Sequence, residues 1–272
     1  MRRLALAVCA ALALAAAAPA PAAAQDSSAQ AAASHLAPAE AAAFSKQIER
    51  TLADRGARVA LVFRSGRPRE DMPDGLAYTH GALWVHRTVA GADGAPRQGY
   101  AVYNLYHGDG VTLAKGRSHL VQDWPLNFAA GSMEDDVAVI LPTPEMQRRL
   151  LAVVDSPTYA RLHNPSYSLT ANPLRRLHQN CNTFLLDVVA AAAWETAEPA
   201  QLSANLRAHF RPSRVAAPLL LRVFGPAVDE RLHTDDQSGP IVTASYESIR
   251  DFMAEHHLSS SSFTVVRAPA NS

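Results

Sequence analysis

Lysine is almost absent from this chain: of the 25 basic side chains among its 272 residues, only Lys46 and Lys115 are lysines, a coding bias toward arginine rather than a function. An excess of one charge is also missing, because 25 acidic side chains balance the basic ones and no block of like charge occurs. Nucleic-acid binding draws on a basic patch that neutralises phosphates, so no nucleic-acid partner is expected. Beyond the N-terminus no stretch is apolar enough to span a bilayer. The chain has no His-Glu-x-x-His pair, no Gly-x-Ser-x-Gly elbow and no glycine loop for phosphates. Asp135-Asp136 and Asp235-Asp236 lack Cys or His at ligand spacing, so they read as loop or cap residues, and neither a metal nor a cofactor is expected.

Cysteine is scarce as well, with only Cys9 and Cys181. Met1-Arg2-Arg3, the apolar run from Leu4 to Ala18 and the small residues Ala22-Ala23-Ala24 follow the order of a secretory signal. Cleavage is expected after Ala24, making residues 1–24 a signal peptide and the protein periplasmic or secreted in a bacterium. An uncleaved anchor is the alternative, though the run is only ~15 residues where about 20 are needed to span. Cleavage removes Arg2 and Arg3, leaving 23 basic against 25 acidic side chains, and it removes Cys9. Cys181 then stands alone, so an internal disulfide is impossible. A lone thiol in an oxidising compartment is either a small buried core residue or a reactive group.

Residues 25–37, rich in Ala, Ser and Gln, read as a flexible leader, and residues 38–272 as one α+β domain. Ala42, Phe44, Ile48 and Leu52 recur at helical spacing between Pro38 and Gly56. Strands are expected at 58–63, at 78–87 and 99–106 as a long hairpin, at 137–141, and at 262–266. Side chains alternate along a strand, so His80, Ala82, Trp84 and His86 share one face, and Leu83 and Val85 the other. Further helices are expected at 144–154, 199–210 and 245–257, with a loop-rich stretch from 156 to 173. From Cys181 to Trp194 the pattern is apolar nearly all round, which makes this the core helix.

Asn180 is a suitable N-cap for that helix and places Cys181 in its first turn. Unpaired backbone N–H groups and the helix dipole stabilise a thiolate there, and the same groups can bind an oxyanion. Gln179 and Asn180 could each lend a side-chain N–H to that oxyanion, or serve only as turn and cap. A thiol nucleophile needs a histidine base, usually distant in sequence. Of eleven histidines, His35, His119, His163, His178, His209, His233, His256 and His257 lie in polar or loop-like segments and read as solvated. His80 opens an apolar strand and is followed by Gly81 and Ala82, small residues that leave room beside its ring. His86 is its rival.

The histidine opening a strand in Thr79-His80-Gly81-Ala82-Leu83-Trp84-Val85, with Asn180-Cys181-Asn182-Thr183-Phe184 opening a helix a hundred residues later, resembles the circularly permuted branch of the papain-like NlpC/P60 superfamily. With its signal peptide and Tyr103-Asn104-Leu105-Tyr106 strand, the sequence also looks like the bacterial family called domain of unknown function 2145. The resemblance implies an antiparallel sheet packed on a central cysteine-bearing helix, and a metal-independent cysteine hydrolase or acyltransferase. Its substrate would be a peptide, a cell-wall fragment or a lipid acyl group. It also implies a third polar residue on the strand after the histidine strand. A hairpin folding about Asp93 sets His80 opposite Tyr106, with Asn104 the candidate to orient the imidazole and His107 the alternative. A non-catalytic exported binding or assembly protein on the same scaffold remains the other reading, and oligomeric state is undetermined.

Overall fold

A computed structural model describes residues 34–90, 94–216 and 229–269. The signal segment, most of the leader and the tip of the hairpin lie outside the described residues. Packing begins slightly before Pro38: Leu36 is buried, and the N–H groups of His35 and Leu36 donate to the Ala130 carbonyl.

Six antiparallel strands form the main sheet. In chain order they are β1 (Val59–Arg64), β2 (His80–Ala90), β3 (Pro96–His107), β4 (Ser118–Asp123), β5 (Asp136–Pro142) and β8 (Ser259–Val266). Their spatial order is β4-β3-β2-β1-β5-β8. Two short strands, β6 (Ser213–Arg214) and β7 (Val242–Thr243), pair separately. The α-helices among the described residues are α1 (Pro38–Asp54), α2 (Pro125–Ala130), α3 (Pro144–Val154), α4 (Pro157–Arg161), α5 (Cys181–Trp194), α6 (Pro199–His209) and α7 (Tyr246–Glu255).

Alternation divides each central strand between two cores. Val59, Leu61, Phe63, Leu83, Val85 and Ile140 point into one core with α3, α5, α6 and α7. Ala60, Val62, Ala82, Trp84, Val102 and Val139 point into the other with α1 and α2. Being covered on both faces explains why β1 and β5 read as continuous apolar runs. The hairpin register runs from Leu83 opposite Tyr103 to Ala90 opposite Pro96, and the His80 and Tyr106 rings stack beyond its paired end.

Helix α5 follows directly from its sequence. Asn180 accepts from the Thr183 N–H at 2.9 Å, and Thr183 Oγ1 accepts from the Asn180 N–H at 2.7 Å, closing a reciprocal cap. Residues 181–192 are all buried, and Glu195 ends the helix in the left-handed region at φ 51°. Burying Leu185, Leu186, Val188 and Val189 contributes about 1.5–3 kcal/mol each.

Candidate functional site

The structure brings His80 and Asn104 together. His80 Nε2 lies 2.9 Å from Asn104 Oδ1, so Nε2–H donates and Nδ1 carries a lone pair. Among the described residues Nδ1 has no hydrogen-bond partner, and neither does Asn104 Nδ2. The ring is 0% exposed, stacks on Tyr106 at 5.3 Å between centroids and lies 5.7 Å from Phe128. Burial, then repulsion from Arg64, lowers the His80 pKa to about 3 despite the bond to Asn104, so the imidazole is neutral at ordinary pH.

Arg64, which the sequence reading passed over, is the charge beside it. It is 2% exposed, lies on the face of Val62 and donates from Nη1 to the Gly131 carbonyl and from its guanidinium to Tyr106. A Cβ on Gly131 would fall 2.5 Å from Arg64 Nη1, so glycine is what admits the guanidinium. Tyr106 in turn donates to Asp123 Oδ2 at 3.0 Å. Burial lowers the Arg64 pKa, opposed by attraction to Tyr106, Cys181 and Asp123. A thiolate at Cys181 therefore helps hold the arginine charge, and the attraction is mutual. The missed signal was period 2: Arg64 continues the Ala60, Val62 stripe into the core.

Cys181 sits in the first turn of α5, 3% exposed, on the wall of a cleft of ≈ 370 Å³ that also takes in Thr79, Asn180, Asn182, Ser245 and the apolar Leu169 and Ile241. Its Sγ lies 3.7 Å from the carbonyl oxygen of Thr79, the residue before His80. His80 and Asn104 do not line this cleft, and His80 Nδ1 makes no hydrogen bond to the thiol. Alternation is the cause. Gly81 faces α5, where an added Cβ would meet Phe63 at 2.6 Å and Asn182 Oδ1 at 2.7 Å, so His80 faces the α1/α2 layer. The room left by Gly81 thus admits the first turn of α5, a correction to the expectation that it cleared space beside the imidazole.

Gln179, expected as an oxyanion donor or a turn residue, donates from Nε2 to the Leu162 carbonyl at 3.1 Å and to Asp187 Oδ2 at 2.8 Å. Asn180 spends its Nδ2 on the Leu169 carbonyl at 3.1 Å and Thr243 Oγ1 at 3.3 Å. The backbone N–H groups of a helix's first turn, which have no intrahelical acceptor, remain as donors for an oxyanion. His107 does not partner His80: its Nδ1 lies 2.5 Å from the Gly108 carbonyl oxygen and its ring packs on Tyr167 at 5.2 Å. His86 is exposed and packs on Tyr100. His178, expected to be solvated, is buried and bonded at both nitrogens, to Ser166 Oγ at 2.8 Å and Asp235 Oδ1 at 2.7 Å.

A family model described as "Uncharacterized protein conserved in bacteria (DUF2145)" matches residues 51–253, which hold both His80 and Cys181. The chain belongs to this family. No curated protein matches it, and no solved structure does. Among the described residues no helix is long and apolar enough to cross a membrane.

Proposed function

We propose that this chain is a periplasmic or secreted cysteine hydrolase or acyltransferase on a permuted papain-like scaffold, with Cys181 attacking an amide, ester or thioester carbonyl. The observation that carries the reading is the thiol in the first turn of a capped, buried helix, opening onto a cleft of ≈ 370 Å³, within the size range of small-molecule sites. The thiolate sulfur bonds to the carbonyl carbon, and the oxyanion meets the first-turn N–H groups. His80 takes the thiol proton and returns it to the leaving nitrogen or oxygen as that bond breaks. Water or a second acceptor then releases the acyl group and restores the thiol. Asn104 positions His80 by accepting from Nε2–H, which keeps Nδ1 as the basic nitrogen. The reading adds one motion: Nδ1 and Sγ must close to hydrogen-bond reach when substrate binds, as catalytic contacts often do. Apolar side chains in the cleft, among them Met72, Leu76, Leu169 and Ile241, suit an acyl chain or an apolar side chain.

A second reading, an exported binding protein on the same scaffold, is favoured by the complete burial of His80 on the sheet face away from α5. The pH dependence of iodoacetamide labelling at Cys181, measured beside His80→Gln, separates the two. The catalytic reading expects labelling that persists well below pH ~8 and a rate that falls at least tenfold in the variant. Rates indifferent to His80 sink the base and leave the binding protein.

A further inference from the structure

We infer that His178, His233 and Asp235 form a binding site for one divalent transition-metal ion, zinc by ligand type. Among the described residues these three side chains each offer one ligand atom, all within 4.8 Å of one another. Two imidazoles and a carboxylate are the donor set of zinc sites that keep a fourth position for water. The cluster joins two distant parts of the chain. His178 lies three residues before Cys181, and the segment carrying His233 and Asp235 also supplies Asp229, Leu232 and Thr234 to the cleft wall.

The surroundings hold the ligands in place. In the metal-free arrangement His178 Nε2–H donates to Asp235 Oδ1 at 2.7 Å; an ion would take the place of that proton, with Nδ1–H then donating to Ser166 Oγ, 2.8 Å away. The His178 and His233 rings stack 4.4 Å apart at 18°, and because a ring-nitrogen lone pair lies in the ring plane, one ring must rotate about its Cβ–Cγ bond for both to reach one ion. The His233 carbonyl accepts from Thr170 Oγ1 at 3.0 Å and its N–H donates to Ser168 Oγ at 3.2 Å. Next to the ligand, buried Asp236 accepts from the Asn172 N–H at 2.7 Å. Metal–ligand distances of about 2.1 Å in a tetrahedral site set paired ligand atoms about 3.4 Å apart. A pair at the 4.8 Å limit would therefore close by about 1.4 Å on tetrahedral binding, and the His178–Asp235 pair opens from 2.7 Å. The Asp235 side chain, 62% exposed, is free to make that adjustment and leaves an entry path for the ion. The ion would clip residues 229–237 to the segment that enters α5, bracing the cleft wall.

The test is zinc titration of the purified chain, stripped with EDTA, against a chromophoric chelator, with cobalt substitution read by absorption. One zinc per chain is expected, kept in Cys181→Ser, weakened at least tenfold in the exposed variant Asp235→Asn and further in His233→Gln, with a cobalt spectrum lacking a thiolate charge-transfer band. Equal thermal midpoints of all variants in EDTA would show that folding is intact. No stoichiometric binding, binding equal in both ligand variants, or binding lost in Cys181→Ser would overturn the site.

Discussion

The two faces of the sheet bury polar groups in opposite ways. On the α1/α2 face, Arg64, His80, Asn104, Tyr106 and Asp123 lie at one end of an apolar layer, around an imidazole kept neutral. On the α5 face, Asp187 is buried with an ion pair to Arg176 and a hydrogen bond from Gln179 at 2.8 Å. Burial disfavours charge on both faces, lowering the pKa of a base on one and raising that of a carboxylic acid on the other. The two faces should therefore respond to pH with opposite sign, and the proposed nucleophile and base approach the same end of the sheet from opposite sides.

The largest effect expected belongs to His80. Its folded pKa of about 3 lies below the ordinary 6.5, so between those values the unfolded chain binds the extra proton and stability falls as pH falls. The slope approaches ~1.4 kcal/mol per pH unit, several kcal/mol over the window. Urea unfolding from pH 7 to pH 4 should show this slope in the parent and lose it in His80→Gln; an unchanged slope would place the acid sensitivity elsewhere.

Asp187 sharpens the contrast. Burial raises its folded pKa to about 6, against the pull of Arg176 and Gln179, from an ordinary 3.8. In that window the folded chain holds the extra proton, so stability is lost as pH rises from about 4 to 6, by up to ~3 kcal/mol. Asp187→Asn should remove this component, and the difference between variant and parent stability should grow from pH 4 to pH 6. A difference independent of pH would refute the assignment.

A smaller effect tests the partition between faces directly. Gly81→Ala should cost about 1–3 kcal/mol, because its Cβ enters the space of Phe63 and the first turn of α5. Gly99→Ala, whose Cβ would meet Val89 Cγ2 at an ordinary 3.7 Å, should stay within ~0.5 kcal/mol. Equal midpoints for the two in chemical denaturation would mean that Gly81 does not face α5.

Much of this arrangement was legible. Continuous apolar runs marked β1, β5 and α5, alternation marked the β2–β3 hairpin, and the hairpin pairing put Asn104 within reach of His80. β4 and α2 were missed because neither has a pattern of its own: β4 is only partly buried, and α2 is a six-residue helix. Asp123 holds their junction, accepting from the Trp124 N–H at 2.8 Å and from Asn127 Nδ2 at 2.5 Å. Arg64 was passed over because a charged residue ending a strand reads as an exit to solvent.

By itself, the amino-acid order determined which residues share a strand face, where α5 begins and that Cys181 enters its first turn, because alternation, capping and helical period are local. Tertiary structure alone decided which face of the sheet α5 covers, since a helix apolar nearly all round fits either side. It also brought His178 to His233 and Asp235, for contact between segments 55 residues apart depends on how the whole chain packs.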